Sequence, residues 1–503
     1  MITARFSPSL DWRDFIAFAQ GLFARENLVE KFETAFAEYV GRKHAIAVPS
    51  ARAGLHFLLR TCGPTGGKAI IPAWTYYAVP AVSRLSGFMP RFVDVRPETL
   101  LMDEEQLAAI DDPEVKVIIP THLYGRVQDM DAVMKVAKDK GWIVIEDVAQ
   151  GLGAKWNGKM CGAFGDAAYF TFGPTKNFTT LGGAMIVTDD DAWAERLRAM
   201  IAPTKSASKF HAIKAALFGL ALSLAAMQPL FGMFVYPLLR WGKPRGFDLI
   251  EKATSDPPHD YPLPPPEFYK NNINNAQAAV GLRQLKKVDG LNDARAVNGR
   301  RMLALLDGAE KADLPSLREG ESPIFMSFPM QIIDPDGLAK ELIKHGVDTT
   351  RGYMSYGPGL EFLQPGSRDT RNAFAPRRPR SHQAAGAGAG RVPANPTDAG
   401  VAHTPNPNIT TVQFVSRTAH VAAPAEPVIA PVGATISGEV TEAARLAASP
   451  DVQPDSPAED IVPDYPHARH ADRRVLHLPV HPGVRPSQVG RIAKVVLAAL
   501  RRY

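Results

Sequence analysis

The sequence predicts an α/β fold with a three-layer large domain, in which helices cover both faces of a mostly parallel sheet, and a smaller α+β C-terminal domain. Between residues 45 and 187, short β-branched runs alternate with helical stretches, which is the pattern of such a sheet. Residues 467–503 then read as a strand, a turn and an amphipathic helix. Two segments of unusual composition lie between these regions, so we expect the small domain to be interrupted.

Seven strands and their connecting helices are predicted within the large domain, which we place at residues 1–210. The strands are expected at 45–48, 69–71, 91–95, 115–120, 143–146, 167–172 and 184–187. Helices are expected at 53–61, 77–85 and 129–140.

The overall composition is that of an ordinary globular protein, with 45% apolar and 22% charged residues. A formal charge of +5 over 503 residues is too small to indicate a nucleic-acid partner. Cys62 and Cys161 lie far apart without a CxxC pair or a His-rich tract, which argues against a disulfide framework and a thiolate metal site. Because no secretory signal is recognisable at the N-terminus, we expect a cytoplasmic protein.

The first unusual segment, 211–245, is apolar and contains 25 consecutive uncharged residues, 215–239, with Pro229 and Pro237 inside them and basic residues on both sides. Its length would reach across a hydrocarbon core of ~30 Å. However, a single crossing would put two halves of one fold on opposite sides of a membrane. Two interpretations stay open: a helix-break-helix that contacts the inner face of the cytoplasmic membrane, or two helices buried in the protein or at a subunit contact.

The second unusual segment, 365–466, is expected to be a disordered insertion rich in Pro and Ala. It holds 15 of the 43 prolines and few large apolar residues, so it offers little to build a core. A short isolated strand at 409–415 is conceivable within it. The segment 246–364 before it is predicted to hold a dimer contact and the first part of the small domain, which 467–503 completes.

Chemistry is indicated by the stretch from residue 144 to 188. One strand ends in Asp147, with Gln150 one turn later, and a second strand runs into a Gly/Pro turn that presents Lys176. Catalysis by pyridoxal phosphate needs both groups: a lysine amine that condenses with the aldehyde, and a carboxylate that keeps the ring nitrogen protonated. Taken singly, such an acid is more often a helix cap or an ion-pair partner.

Two further loops strengthen this interpretation. Ser50, Ala51 and Arg52 join a strand to a helix, where backbone N–H groups can hold a phosphate. The loop after the next strand carries Trp74, Tyr76 and Tyr77, any of which can stack on a flat ring. The alternatives are a simple helix cap for the first loop and core aromatics for the second.

Taken together, several stretches resemble the nucleotide-sugar aminotransferases of the DegT/StrS family, which are fold-type I pyridoxal phosphate enzymes. The resemblance covers roughly residues 25–200, 268–355 and 466–503. It rests on VEKFETAFAEYVGRKHAIAVPSARAGLHFLL, IIPAWTYYAVPAVSRLSGFMPRFVDV, THLYGRVQDMDAV, IEDVAQGLGAKWNGKMCGAFGDAAYFTFGPTKNFTTLGGAMIVT and QAAVGLRQLKKVD.

The resemblance implies a role for each matching residue. Lys176 would be the lysine that binds the cofactor covalently and Asp147 the partner of its ring nitrogen, so these two are the expected catalytic residues. The expected cofactor-binding set adds the backbone of two residues at a helix start, one stacking aromatic, one residue at the ring face or hydroxyl edge, and one hydroxyl for the phosphate: Ala51, Arg52, Tyr76, Gln150 and Thr171. No metal is expected.

Departures from the family pattern limit this transfer. The usual Ser-Gly-Thr of the phosphate loop reads Ser50, Ala51, Arg52, so either the turn forms without glycine or the Arg52 guanidinium supports the phosphate. The usual Gly-Glu-Gly-Gly reads Leu181, Gly182, Gly183, Ala184. The asparagine that relatives extend across the dimer interface falls near residues 270–272 and is left unassigned.

By resemblance, the chain is expected to be a homodimer that transfers an amino group from glutamate or glutamine to a nucleotide-linked keto-sugar, for polysaccharide or glycoconjugate biosynthesis. No nucleic-acid partner is expected. The alternative is a regulatory or scaffold protein at the membrane that keeps the fold without turnover. The sugar, the nucleotide and the ring carbon stay open.

Overall fold

A seven-stranded sheet forms the centre of the large domain in the computed structural model. The structure describes residues 2–63, 66–254, 258–261, 269, 271–352, 354–364 and 464–502. The strands of the sheet are β1 (His44–Val48), β2 (Lys68–Pro72), β3 (Met89–Val93), β4 (Val115–Ile118), β5 (Ile143–Asp147), β6 (Ala167–Thr171) and β7 (Ala184–Thr188).

The order across this sheet is β3-β2-β4-β5-β6-β7-β1. All neighbours are parallel except β7, which runs antiparallel to both β6 and β1. Each strand lies within two residues of its predicted position, because buried β-branched runs of this length leave few alternatives. The predicted fold class is confirmed.

Helices cover the sheet, and several of them begin at a side-chain cap. Ser50 Oγ accepts a hydrogen bond from the Ala53 N–H at 3.1 Å, and Asp129 Oδ1 accepts one from Ala132 at 3.0 Å, so each cap fixes where its helix starts. The helices of the large domain are Trp12–Leu22, Leu28–Val40, Ala51–Thr61, Ala78–Leu85, Glu104–Ala108, Met130–Lys140 and Asp191–Ile201, with Asn275–Leu285 packed on the first two.

The small domain combines two parts of the chain. Its antiparallel sheet consists of Ala312–Asp313, Phe328–Ile332 and Val475–Leu478, with Phe328 opposite Leu478. Its helices are Val288–Leu306, Pro335–Lys344, Pro466–Arg474 and Pro486–Leu500. A strand, a turn and a helix at the C-terminus are therefore present as predicted.

Two boundaries differ from the sequence-based expectation. Helix Pro466–Arg474 begins at the last residue of the predicted insertion, and residues 365–463, including the conceivable strand at 409–415, lie outside the described residues. The first residues, assigned to the large domain, instead pack on the small one. Thr3 forms a parallel bridge with Val347, and the Arg5 guanidinium lies 2.9 Å from the buried Asp348 carboxylate.

The apolar segment forms a helix-break-helix. It consists of Lys209–Ala226, Gln228–Leu230, the π-turn Phe231–Val235 and Tyr236–Gly242. Lys205–Ser206 before it pairs in parallel with Asn271–Asn272 after it, so both ends return to the same place on the large domain. A single crossing of a membrane between these ends is therefore excluded. Within the described residues, one helix, Lys209–Ala226, has the length and composition that a crossing would require.

Candidate active site

A cavity of about 210 Å³ opens beside the carboxyl ends of β5 and β6. This is where ligands bind in α/β proteins with parallel strands, because several loops converge there. The lining includes all seven residues that sequence reasoning selected: Ala51, Arg52, Tyr76, Asp147, Gln150, Thr171 and Lys176. Residues from four separate stretches of the chain thus meet in one place.

Asp147 is the last residue of β5 and is almost fully buried in the cavity wall. Its Oδ1 accepts a hydrogen bond from the Ala149 N–H at 2.9 Å, which holds the carboxylate towards the cavity. Burial raises the pKa of Asp147, and this effect outweighs the neighbouring Tyr169 hydroxyl, the Ala149 N–H and the Lys176 charge, all of which lower it. A cation placed against this carboxylate would be strongly favoured.

Lys176 lies in a tight turn after β6. The turn is closed by a hydrogen bond from the Lys176 N–H to the Gly173 carbonyl at 3.1 Å. Asn177 anchors its far side: its Nδ2 donates to the Leu152 carbonyl at 2.8 Å and to Asn292 Oδ1 at 3.1 Å. The next residue, Phe178, packs into a buried aromatic cluster with its ring stacked at 6.1 Å on that of Phe32. Asn177 and Phe178 thus fix the turn on the side away from the cavity, and Lys176 lies on the side that lines the cavity.

Asn177 is a positioning residue that the sequence did not reveal, since an asparagine in a turn has many ordinary explanations. We expect Asn177→Ala to lower the free energy of unfolding by about 1–3 kcal/mol, because it removes two buried hydrogen bonds, while the Leu152 carbonyl and Asn292 Oδ1 each keep one other donor. Thermal and urea unfolding measure this loss. In a double-mutant cycle with Asn292→Ala, the two losses should fall short of adding, since both substitutions remove the same bond. Strict additivity would contradict a shared anchor.

The loop before helix Ala51–Thr61 forms without glycine. Ser50 has an extended backbone, with φ −164°, and the helix starts directly at Ala51. Arg52 also lines the cavity, and its guanidinium Nη1 donates to the hydroxyl of the buried Tyr261 at 2.9 Å. The turn therefore forms without glycine, and a cationic side chain lies directly after the helix start.

The three aromatic residues of the second loop divide into two groups. Tyr76 lines the cavity, whereas Trp74 and Tyr77 are buried in the core. Trp74 Nε1 donates to the Tyr124 hydroxyl at 2.7 Å, and the Tyr77 hydroxyl lies 3.3 Å from that of Tyr261. Core packing thus explains two of the three, and only Tyr76 is in a position to stack on a bound ring.

His122 is a structural residue. Its Nδ1 accepts a hydrogen bond from the Gln128 N–H at 3.3 Å, so Nε2 carries the proton and donates to Glu146 at 3.1 Å. Glu146 in turn accepts from three backbone N–H groups of the loop before β6.

A second chamber of about 100 Å³ adjoins the cavity and is lined by Tyr124, which lies in the turn directly after His122. This chamber shares Gln150, Thr175, Thr254 and Met354 with the first one.

Sequence reasoning missed several lining residues. Tyr169 lies in the middle of β6, Thr121 follows β4, and Met354 and Thr254 come from distant segments. Only Tyr169 had a usable signal, since it precedes Thr171 by two positions and so points to the same face of its strand. The buried Thr121 Oγ1 has no hydrogen-bond partner among the described residues.

Leu181 stands where the family pattern has its first glycine, and the apolar segment packs on this leucine. Leu181 has φ +66°, a left-handed conformation that costs a residue with a Cβ roughly 1–2 kcal/mol. Its side chain is buried against Phe18, Ala212 and Ala216, and Gly219 lies so close that an added Cβ would be 2.5 Å from Leu181 Cδ2. Burial under helix Lys209–Ala226 therefore offsets the strain of a leucine in a glycine position.

Comparison with known proteins identifies the family. A model of the DegT/DnrJ/EryC1/StrS aminotransferase family matches residues 16–234 and 268–362, which is more than half of the chain. The chain belongs to this family. The match continues to residue 234, well into the apolar segment, and resumes at 268.

Two curated relatives and one solved structure illustrate the family relationship. The chain is 36% identical over 243 residues to the pleiotropic regulatory protein of Geobacillus stearothermophilus, covering 46% of this chain and 64% of the relative. It is 41% identical over 171 residues to the GDP-perosamine synthase of Caulobacter vibrioides, covering 34% and 46%. The chain thus spans less than two thirds of the curated relatives it matches. The putative sugar aminotransferase Spr1654 of Streptococcus pneumoniae in its PLP form shares the fold, with a TM-score of 0.64, 16% identity, and coverage of 100% and 99%.

Proposed function

We propose that this family member is a pyridoxal phosphate-dependent aminotransferase. It transfers an amino group from glutamate or glutamine to a nucleotide-linked keto-sugar in polysaccharide or glycoconjugate biosynthesis. The observation that carries the proposal is the meeting of Lys176, Asp147 and the helix start at Ala51 in one cavity. An amine, a buried carboxylate and an anion-binding helix end are the three groups that this cofactor requires.

The residues of the cavity fit the cofactor. Asp147 is a buried carboxylate whose pKa is raised by burial, so a protonated ring nitrogen would relieve the cost of its charge. The Thr121 hydroxyl is buried on the cavity wall with no partner among the described residues, and a polar ligand atom would satisfy it. Arg52 and Thr171 add a cation and a hydroxyl where a phosphate needs them.

Each side chain then has a defined task. Pyridoxal phosphate, when bound, supplies an aldehyde that takes up the amino group and a ring that accepts electrons. Lys176 Nζ would hold the cofactor and would move a proton, as base and then as acid. Asp147 keeps the ring nitrogen protonated, and Tyr76 and Gln150 hold the ring in place. The Ala51 and Arg52 backbone N–H groups, the Thr171 hydroxyl and the Arg52 guanidinium would bind the phosphate.

Arg52 gives a specific test of the phosphate site. We expect Arg52→Ala to weaken cofactor affinity by about 10- to 100-fold, because a hydrogen bond to a charged group contributes roughly 1.5–3 kcal/mol. The measurement is a titration of the apo protein with the cofactor, followed by absorbance. Tyr261→Phe is the matched control: it removes the hydroxyl that Arg52 contacts and leaves the guanidinium, so its affinity should stay within a few-fold of the parent. If the cofactor affinity of Arg52→Ala is unchanged, the Arg52 side chain does not bind the cofactor phosphate.

The proposal extends to assembly and location. We propose a cytoplasmic homodimer, with residues 246–364 contributing to the contact and the apolar segment touching the inner face of the cytoplasmic membrane. The dimer is supported by the family resemblance, and the location by the basic residues around the segment. Sedimentation velocity of the loaded protein measures the assembly, and a monomer at micromolar concentration would contradict it.

The activity itself is tested by mass analysis of products. The loaded enzyme is incubated with glutamate and a panel of nucleotide-linked keto-sugars, and an amino sugar is the expected product. A glutamate-dependent loss of the visible absorbance of the bound cofactor is expected even without a sugar. A protein that binds the cofactor and leaves its absorbance unchanged with every amino donor would overturn the proposed function.

A further inference from the structure

We infer that the apolar segment 211–245, together with Lys209 and Phe210 at the start of its first helix, binds the surface of a bilayer containing anionic lipids and lies within one leaflet. The inference deepens the location given in the proposed function by naming the lipid chemistry, the residues that enter the leaflet and the mode of binding. It does not depend on which sugar the enzyme uses.

The first helix of the segment turns mostly small residues towards the protein, with Leu222 the one large apolar side chain buried there, and turns its other large apolar residues outward. Ala212, Ala216 and Gly219 are buried, and Gly219 allows the close approach to Leu181. Phe210, Ile213, Leu217, Phe218, Leu220 and Leu224 are exposed, with Phe210 80% and Leu217 61% accessible. A helix of a water-soluble protein has the opposite arrangement, because burial of its large apolar side chains is what holds it in place.

The second half of the segment also has one buried and one exposed face, although its buried residues are large. Phe231, Tyr236 and Leu239 are buried, and the Tyr236 hydroxyl donates to the Ile343 carbonyl at 2.6 Å. Met233, Phe234, Leu238 and Trp241 are exposed, with Phe234 63% and Trp241 57% accessible. Both halves are therefore anchored to the protein on one side and present a large apolar surface on the other.

The basic residues around this apolar surface favour anionic lipid as its binding partner. From residue 196 to 247 the chain has eight Lys and Arg residues and no Asp or Glu. Lys205, Lys209, Lys214, Arg240 and Arg245 are exposed. Anionic headgroups complement such a border, and basic residues beside aromatic ones are typical of the membrane interface. Two copies of the chain meeting through this face would bring like charges together, which disfavours a second copy as the occupant.

The chain before and after the segment lies on one side of the membrane, which decides whether the segment crosses the bilayer or stays in one leaflet. Lys205–Ser206 and Asn271–Asn272 are paired on the large domain, so both ends stay on the same side of the membrane. The helical run between them breaks at Met227, whose backbone is extended with ψ 129°, two residues before Pro229, and it widens to a π-helical turn before Pro237. The segment therefore enters and leaves the same leaflet, as interfacial helices do.

Vesicle flotation of the loaded full-length protein tests this inference. Vesicles of phosphatidylcholine alone are compared with vesicles of equal parts phosphatidylcholine and phosphatidylglycerol. We expect binding to the anionic vesicles, at least about tenfold weaker binding to the neutral ones, and release at high salt. The variant L217S/F234S/W241S should lose binding by at least about tenfold, since each serine removes apolar area from the leaflet.

The control substitutes two exposed apolar residues that lie outside both the segment and the proposed dimer contact, I16S/M89S, and should bind vesicles like the parent. A charge variant, K209Q/K214Q/R240Q, should keep its weak affinity for neutral vesicles and lose most of the gain from anionic lipid. Cofactor absorbance and sedimentation report whether each variant is folded.

A second measurement covers the case in which the triple serine variant fails to fold. Lipids with brominated acyl chains quench tryptophan fluorescence only from within the leaflet. We expect quenching of the parent and a clear reduction in Trp241→Phe. The inference is overturned if the parent ignores anionic vesicles, if the folded L217S/F234S/W241S variant binds them like the parent, or if that variant instead dissociates a lipid-free dimer. Failure of transamination with intact vesicle binding would overturn only the proposed function.

Discussion

Lys176→Ala is expected to reduce aminotransferase turnover by about 10³-fold or more while leaving the fold intact. The variant loses the covalent attachment of the cofactor and the amine that moves the proton, and acid–base groups of this kind contribute about 10²–10⁴-fold on their own. The fold should persist because the turn is held by the Gly173 carbonyl, by Asn177 and by the packing of Phe178, none of which involves the lysine amine.

Borohydride reduction followed by peptide mapping measures the attachment directly. In the parent, a stable mass tag should appear on the peptide that contains Lys176; in Lys176→Ala it should be absent. Lys176→Arg keeps a positive charge and should be equally inactive, since a guanidinium does not condense with the aldehyde. Lys155→Ala, which removes an exposed lysine, is the matched control and should behave like the parent. Parent-like turnover in Lys176→Ala would refute the assigned role.

The fold and most of the cavity followed from the sequence for one reason. A parallel sheet brings the carboxyl ends of its strands to a single edge, so Asp147, which the sequence pattern placed at a strand end, and Thr171, which the family resemblance added, are brought together by the fold. The phosphate loop followed from the same logic, because a serine cap before a helix marks a helix start.

What the sequence could not reveal depends on long-range packing. Met354 and Thr254 enter the cavity from segments whose paths no local pattern predicts. The assignment of Trp74 and Tyr77 to the core, and of Tyr76 to the cavity, depends on Tyr124 and Tyr261, which lie far away in the chain. Leu181 at positive φ is intelligible only once helix Lys209–Ala226 is seen to cover it.

Asp147→Asn is expected to lower turnover by about 100-fold or more and, at the same time, to stabilise the cofactor-free protein at neutral pH. The loss of rate follows because an amide cannot keep the ring nitrogen charged. The gain in stability follows from the raised pKa of Asp147, which means that the buried carboxylate is less favourable in the folded chain than in the unfolded one.

The sign of the pH dependence follows from that direction. At pH values below the ordinary 3.8, Asp147 is protonated in both states and contributes nothing. As the pH rises through the raised pKa of the folded state, the parent loses stability relative to Asp147→Asn, and the difference is complete above that pKa. The unfolding midpoint of the cofactor-free variant should therefore exceed that of the parent at neutral pH and converge with it in acid.

Cofactor binding should stabilise the parent more than Asp147→Asn, because a protonated ring nitrogen supplies the cation that the Asp147 carboxylate lacks in the cofactor-free protein. We expect the cofactor to raise the unfolding midpoint of the parent by more than that of Asp147→Asn, measured by thermal scans with and without saturating cofactor. Asp139→Asn is the control, and it should change the stability of the cofactor-free protein in the opposite direction. Lys135 lowers the pKa of this exposed carboxylate, so its replacement should slightly lower stability at neutral pH. A cofactor-free Asp147→Asn protein less stable than the parent at neutral pH would show that this carboxylate is held by partners within the chain and is not reserved for the cofactor.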